Sequence, residues 1–425
     1  MPIHGQARAS GMRALWMPML LPGLVASALL FAPATALAAR PLTMEQSVAL
    51  ALEHSPRLID GQAEAASARS RWDAASRLFQ SNPQLQASVG PRFRDEPDTL
   101  ELNVGLSQQL ELFGQRAARE DAARAASAAS HARLESLKVE LAAEVRESFG
   151  RALAADRALR LAEDASALAE EGRKTAEARF KEGAANQIEV NLARVELGRA
   201  QREKVRATQR RTQALAELKL LVGLDPGEDL TLEGELQVTA VPLPDTSMLV
   251  EQASRQRQDV IAARAEWEAA QAEVRFANRD ALPRPSLGVS YGREENDTII
   301  QGTLNLDLPL FNRNQAERGT SSARERQARQ RLAVTERFVR TEVELAVNRY
   351  RLAQASAEAF SADVLTALQE NLDLVTEAYR AGKVDALQLL IIRREAIEGR
   401  RDYIDALEEL NAARAQLLRA LGTLR

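Results

Sequence analysis

The stretch Gln109-Leu110-Glu111-Leu112-Phe113-Gly114-Gln115-Arg116 decides the fold, because the chain carries it twice. The second copy reads Leu306-Asp307-Leu308-Pro309-Leu310-Phe311-Asn312-Arg313-Asn314, with Phe113 and Phe311 198 residues apart. Each copy ends an alternating apolar/polar run and opens a long tract rich in Ala, Glu and Arg. A repeat on this scale governs everything else in the sequence. Two copies of one strand-to-helix unit are expected.

Upstream of the first copy, Leu85, Ala87, Val89, Pro91 and Phe93 alternate with polar or small residues, and Leu100, Leu102, Val104 and Leu106 do the same. The period of two marks strands. A charged turn at 94–98 joins them, so a β-hairpin is expected over 83–110. The second hairpin, over 285–310, alternates through Leu287, Val289 and Tyr291, turns at 293–297, and returns through Ile300, Leu304, Leu306, Leu308 and Leu310. Strands of about ten residues cross a bilayer when tilted. The same alternation also suits a hairpin lying on a soluble core, and two hairpins favour the membrane reading more than one does. Four strands are too few to close a membrane barrel, and an open sheet cannot leave its edges unpaired in lipid. If these strands span a membrane, several chains must share one barrel.

Downstream, residues 115–180 contain no proline and only two glycines, Gly150 and Gly172. Leu134, Leu137, Leu141, Val145, Phe149 and Leu153 recur at intervals of three and four, the stripe of a long coiled-coil-like helix. Its length would reach about 100 Å at 1.5 Å per residue. A stop at Gly183 and an N-cap at Asn186 then start a return helix over 186–222. The first repeat is therefore 39–222, opening with a helix over 43–80 broken near Ser55-Pro56. A Pro- and Gly-rich linker spans 223–245. The second repeat, 246–425, contains a helix over 248–282, its hairpin, a long helix over 315–379 and a return helix over 385–421. Phe180 and Tyr379, Gly183 and Gly382, Asn186 and Asp385, and Gly223 and Gly422 all match at a spacing of 199. Leading and return helices, about 38 and 37 residues, sum to roughly 75 and stacked end to end would run beside the long helix, so each half is expected to supply one continuous and one spliced rod of similar length.

Composition agrees with a mainly α protein. Strong helix formers dominate and aromatic residues are 4 % of the 425. Residues 1–38 read as a removed secretory signal, with an apolar run and the small-residue pattern Thr35-Ala36-Leu37-Ala38-Ala39. That segment carries Arg8 and Arg13 and no acids, so its removal takes the net charge from −4 to −6, which gives no reason to expect nucleic acid. No later stretch is apolar enough for a membrane helix. The chain has no Cys, and beyond the signal only His54, His131, Met44 and Met248 remain of the His and Met residues. No nucleophile–base set, phosphate loop or soft-metal site can be assembled, so no enzyme, cofactor or resident metal is expected. Glu294, Glu295 and Asp297 cluster in a turn, where a solvated loop is the favoured reading.

The duplicated hairpin-then-long-helix plan, the Leu-Phe-Gly-Gln-Arg and Leu-Phe-Asn-Arg-Asn turns, Tyr379-Arg380-Ala381-Gly382 and the Leu421-Gly422-Thr423-Leu424 ending resemble the TolC-like outer-membrane efflux family across the whole mature chain. Leu310-Phe311-Asn312-Arg313-Asn314-Gln315 is most similar to the CzcC-type heavy-metal branch, the partners of resistance-nodulation-division pumps. The resemblance implies an elongated homotrimer in which four strands per chain close a shared 12-stranded outer-membrane β-barrel, continued by a periplasmic α-helical barrel. It implies contact of a periplasmic adaptor with the turns at Gly183, Ala184, Gly382 and Lys383, and a lipid boundary at Phe113 and Phe311. Some relatives carry a lipid on an N-terminal cysteine, which this chain lacks. In well-known members an acidic pair narrows the entrance; counted from Gly382 those positions hold Gln388 and Ile391 here. Asp385 is the nearest carboxylate, either a gate residue beside Gln388 or simply a helix cap.

The expected function is a passive exit duct that serves an inner-membrane pump and probes no cargo chemistry of its own, with heavy-metal cations as the cargo. A duct for drugs or for secreted proteins is the alternative. A periplasmic coiled-coil adaptor or scaffold is the alternative of another class.

Overall fold

The computed structural model describes residues 40–92, 99–237, 243–294, 297–360 and 362–424, and the chain from Ala39 to Arg425 forms one unit. The signal segment 1–38, the turn 94–98 and Glu295 of the second turn lie outside the described residues.

Strand β1 (Arg40–Leu42) precedes helix α1 (Met44–His54), which Thr43 and Gln46 close with a reciprocal capping box. Helix α2 (Pro56–Ala75) takes Pro56 in its first turn, where the missing N–H costs nothing. It stops five residues before the expected 80. The hairpin is β2 (Gln84–Arg92) and β3 (Thr99–Gln109). Helix α3 (Gln115–Lys181) runs unbroken for 67 residues, about 100 Å. Helix α4 (Gln187–Val222) returns beside it and ends at Gly223 in the left-handed conformation. Within the expected linker lies β4 (Leu230–Leu232), paired in parallel with β1, which sequence reading missed.

Helices α5 (Thr246–Gln256) and α6 (Gln258–Asp280) replace the single helix expected over 248–282. The break falls at Arg257, 202 residues after Ser55, and contains no proline. Its cause lies in the packing. Arg257 is buried, bonded to Asp259 and Glu342 at 2.6 Å each, and Gly422 presses on its backbone. A Cβ at Gly422 would lie 2.8 Å from Arg257 Cα, and one at Gly223 would lie 2.9 Å from the carbonyl carbon of His54. In both halves the end of the return helix docks on the break in the leading helix.

The second hairpin is β5 (Ser286–Glu294) and β6 (Asp297–Asn305). β6 ends well short of the expected 310. Beyond Asn305 its neighbour would be Pro285, which has no N–H to continue the ladder, and Pro309 interrupts the strand itself.

The long helix expected over 315–379 is two helices, α7 (Gln315–Ala359) and α8 (Ala362–Arg380). Buried positions explain the break. Leu134, Leu141, Val145, Phe149 and Ala152 on α3 correspond to Leu332, Val339, Val343, Val347 and Tyr350 on α7 at a spacing of 198. By the turn the spacing is 199, from Phe180 to Tyr379. Between those buried positions and the turn the second rod thus has one extra residue, which an unbroken helix would convert into a rotation of about 100°. The chain leaves helical geometry at Phe360 (φ −88°, ψ 60°), whose ring packs 6.0 Å from that of Tyr403. Helix α9 (Ala386–Leu421) completes the chain.

Helix α3 is the axis of the packing, with α2, α4, α6 and α9 all against it. α2 lies along its first part, where Arg57 pairs with Glu144, and α4 along its second, where Arg151 meets Glu217 at 3.1 Å. The largest cluster joins Leu141, Val145 and Phe149 to Leu218, Val343 and Leu407, and takes in Leu42 and Leu230 of the small sheet. Alanines dominate the rest of the buried surface, which lets the rods approach closely.

Candidate functional site

Three features of the chain carry the residues singled out from sequence: the two helix turns, the sheet, and the joints between strand and helix.

The turns are built alike. Two residues past the end of α3, Gly183 (φ 76°) turns the chain, the Ala184 N–H donates to Arg179 O at 2.8 Å, and the Asn186 side chain accepts from Glu189 N–H at 3.0 Å. Two residues past the end of α8, Gly382 (φ 71°) does the same, Lys383 N–H donates to Ala378 O at 2.8 Å, and Asp385 accepts from Gln388 N–H at 2.7 Å. Both are left-handed glycine stops followed by a side-chain N-cap. Gly183, Ala184, Gly382 and Lys383 are exposed, and a Cβ on either glycine would meet nothing within 4 Å. Asp385 and Gln388 are also exposed, and the Asp385 carboxylate is engaged as the cap.

The two turns are brought together by residues that sequence reading did not single out for contact. Arg179 donates to Tyr379 O at 2.7 Å and lies 4.6 Å from the centroid of its ring, while Arg380 reaches Glu171 at 2.6 Å. Burial pushes the Tyr379 phenol up and the neighbouring Arg393 guanidinium down, although Glu171 opposes the second shift. Nothing in the spacing marks this link: the residue 199 after Arg179 is Ala378, so the two halves differ here.

The sheet has four antiparallel strands in the order β2-β3-β5-β6, so the two hairpins pair with each other through β3 and β5. Leu85, Val89, Leu100, Leu106, Leu287, Val289, Ile300 and Leu304 are exposed on it. Among the described residues the outer edges of β2 and β6 have no partner strand.

At the joints, Gly114 (φ 82°) and Asn314 (φ 57°) both take the left-handed conformation, and Asn314 is the one such non-glycine among the described residues. Gln115 accepts from Phe113 N–H and Gln315 from Arg313 N–H, each at 2.8 Å. The helix starts therefore correspond at a spacing of 200, not 198. Phe311 stands two residues farther from its helix than Phe113 does, and it is 92 % exposed against 47 %. Gln115 is fully buried and also donates to Pro283 O at 3.1 Å, whereas Gln315 turns back to Phe311 O at 2.9 Å.

Among the described residues no helix is long and apolar enough to cross a membrane, and no group of three His, Cys, Asp or Glu side chains converges.

Comparison with known proteins follows the same halves. The family model for outer membrane efflux proteins matches residues 48–224 and again 249–423. The cobalt-zinc-cadmium resistance protein CzcC of Cupriavidus metallidurans is 27 % identical over 397 residues, 91 % of each chain. The crystal structure of CusC superposes with a TM-score of 0.73 at 21 % identity, covering 89 % of this chain and 92 % of that one. The open state of the MtrE outer membrane channel of Neisseria gonorrhoeae gives 0.72 at 21 % identity, covering 89 % of each.

Proposed function

The chain belongs to the outer membrane efflux protein family, and from that premise we propose that it is the passive exit duct of a tripartite resistance-nodulation-division system exporting heavy-metal cations. It spans the outer membrane and extends into the periplasm. The observation that carries the proposal is the sheet: four strands with an exposed apolar row and two free edges, attached to rods about 100 Å long. Three copies supply twelve strands, enough to close a barrel and leave no edge in lipid. A soluble adaptor or scaffold has no use for such a row.

In this homotrimer Phe113 and Phe311 lie near the lipid boundary, and the polar residues that follow them face water. The turns at Gly183, Ala184, Gly382 and Lys383 meet the periplasmic adaptor, which joins the duct to the inner-membrane pump. Asp385 and Gln388 border the entrance, and the Arg179–Tyr379 and Arg380–Glu171 contacts hold the two turns of one chain together. The duct catalyses nothing; the pump supplies the energy and the selection.

The metal cargo rests on the likeness to CzcC and on Leu310-Phe311-Asn312-Arg313-Asn314-Gln315. The test is deletion of the gene from its host, with growth scored against cobalt, zinc and cadmium salts and against a panel of drugs. Sensitivity to the metals alone, restored by the full chain, is expected. Sensitivity to drugs alone would transfer the duct to drug efflux.

A further inference from the structure

The unpaired edges of the sheet invite a register as well as a partner. Most described residues of β2 and β6 are exposed, and a free, apolar-faced edge is satisfied by another strand. The partner is a second copy of this chain, which rests on the trimeric duct proposed above. The register comes from the chain's own repeat.

Leu85, Ser88 and Gly90 of β2 recur as Leu287, Ser290 and Gly292 of β5, 202 residues on. Leu106 and Phe113 recur as Leu304 and Phe311, 198 residues on, and this shift carries β3 onto β6. The two shifts can be checked within the protomer. In the first hairpin Ser88 stands opposite Asn103, and the shifts carry that pair to Ser290 and Gln301, which are the partners observed in the second hairpin.

The pairing of β3 with β5 is the protomer's own instance of one half meeting the other. There Gly105 stands opposite Ser290. Carried forward on β3 and back on β5, the pair becomes Thr303 and Ser88. We propose that in the closed barrel β6 of one protomer pairs antiparallel with β2 of the next, with Thr303 opposite Ser88. The same register sets Leu304 opposite Ala87, Leu306 opposite Leu85 and Asn305 opposite Gln86. Apolar residues then meet apolar ones on one face and polar residues meet polar ones on the other. A slip of one residue would reverse both faces, while a slip of two would preserve them. Only a slip of two must therefore be distinguished by experiment. The pairing also gives residues 306 and 307 a strand partner, which they lack in the single chain.

Disulfide trapping reads the register directly, because the chain has no cysteine of its own. A Cβ on Gly105 would lie 3.3 Å from the Ser290 Cβ, so Ser88 and Thr303 inherit a separation short enough for a disulfide. The diagonal positions stand about 7–8 Å apart, beyond its reach. The full chain carrying Ser88→Cys and Thr303→Cys is extracted in detergent, oxidised and run without reductant. A ladder of two and three linked chains is expected, forming at least about tenfold faster than with Ser88→Cys/Gln301→Cys or Ser88→Cys/Asn305→Cys. Ala87→Cys/Leu304→Cys tests the same register from the other face, should the first variant fail to insert. A trimeric particle linked faster through either slipped pair would overturn the register and leave the duct reading standing. A particle of one chain with no ladder from any pair would overturn both.

Discussion

Gly150 on α3 lies against Asn411 on α9: a Cβ on the glycine would overlap Asn411 Nδ2 and lie 2.5 Å from Cγ. That Nδ2 donates to Arg146 O at 3.1 Å, one turn back on α3, so the asparagine cannot withdraw without losing the bond. The contact ties the first half of the chain to the last helix.

Gly150→Ala sets two effects in opposition. Replacing a helical glycine gains about 1 kcal/mol, whereas forcing atoms into a filled contact costs about 1–3 kcal/mol. With the added hydrogen-bond loss, a net destabilisation of about 1–2 kcal/mol is expected. Gly198→Ala, on an open face of α4, meets nothing within 4 Å and should raise stability. Thermal unfolding of the two purified variants in detergent should move in opposite directions.

Arg257 fills the break between α5 and α6 and holds Asp259 and Glu342. Because both acids are partly exposed, Arg257→Ala should cost about 1–3 kcal/mol, less than a fully buried pair would. Burial alone would raise the Asp259 pKa, but the bonds from Arg257 outweigh it and hold that carboxyl below its usual range. A depressed carboxylate stabilises the fold above its unfolded pKa, near 3.9, and that contribution disappears as pH falls through the folded value. Asp259→Asn should therefore lower stability at neutral pH and flatten its fall below about pH 4, as followed by circular dichroism.

Asp385 caps α9 and its charge is not needed for that role. Asp385→Ala should weaken the first turn by about 1 kcal/mol, while Asp385→Asn should preserve it. Hydrogen exchange at Gln388 N–H reads the cap. Single-channel recordings of Asp385→Asn read the charge: unchanged cation preference confines the residue to capping, and a reduced preference places it at the entrance.

The Arg179–Tyr379 and Arg380–Glu171 contacts join the two turns. A cation–π contact onto the buried Tyr379 ring and an exposed ion pair are together worth about 1–3 kcal/mol. Arg179→Ala/Arg380→Ala should thus raise the population with separated turns roughly tenfold. Conductance of the reconstituted variant should rise relative to the parent chain; an unchanged conductance would confine these contacts to stabilising the turn.

Much of this architecture was legible in the sequence because it rests on local chemistry. Gly183 and Gly382 stop helices by backbone conformation, Asn186 and Asp385 start them, and strand alternation names both hairpins. The break at Arg257 was not legible, because no proline or glycine marks it and its cause is the tertiary seat of Gly422 on the buried Arg257. The break at Phe360 follows from counting the one surplus residue between Tyr350 and Tyr379, although no proline or glycine marks it. The link between the turns was not legible, because Arg179, Tyr379, Arg380 and Glu171 meet only once α3 and α8 both pack against α9. Nor was the pairing of β1 with β4, since three residues are too few to show a period. The matched phenylalanines misled in one respect. They mark equivalent points beyond the strand ends, but the helix starts are set by Gly114 and Asn314, two residues out of step.

The central claim is a membrane-embedded duct made of three chains. The most direct measurement is the mass of the particle extracted in mild detergent from the outer-membrane fraction, by native mass spectrometry. Three copies of the chain in that fraction are the expected result. A single chain that remains in the soluble periplasmic fraction without detergent would contradict it.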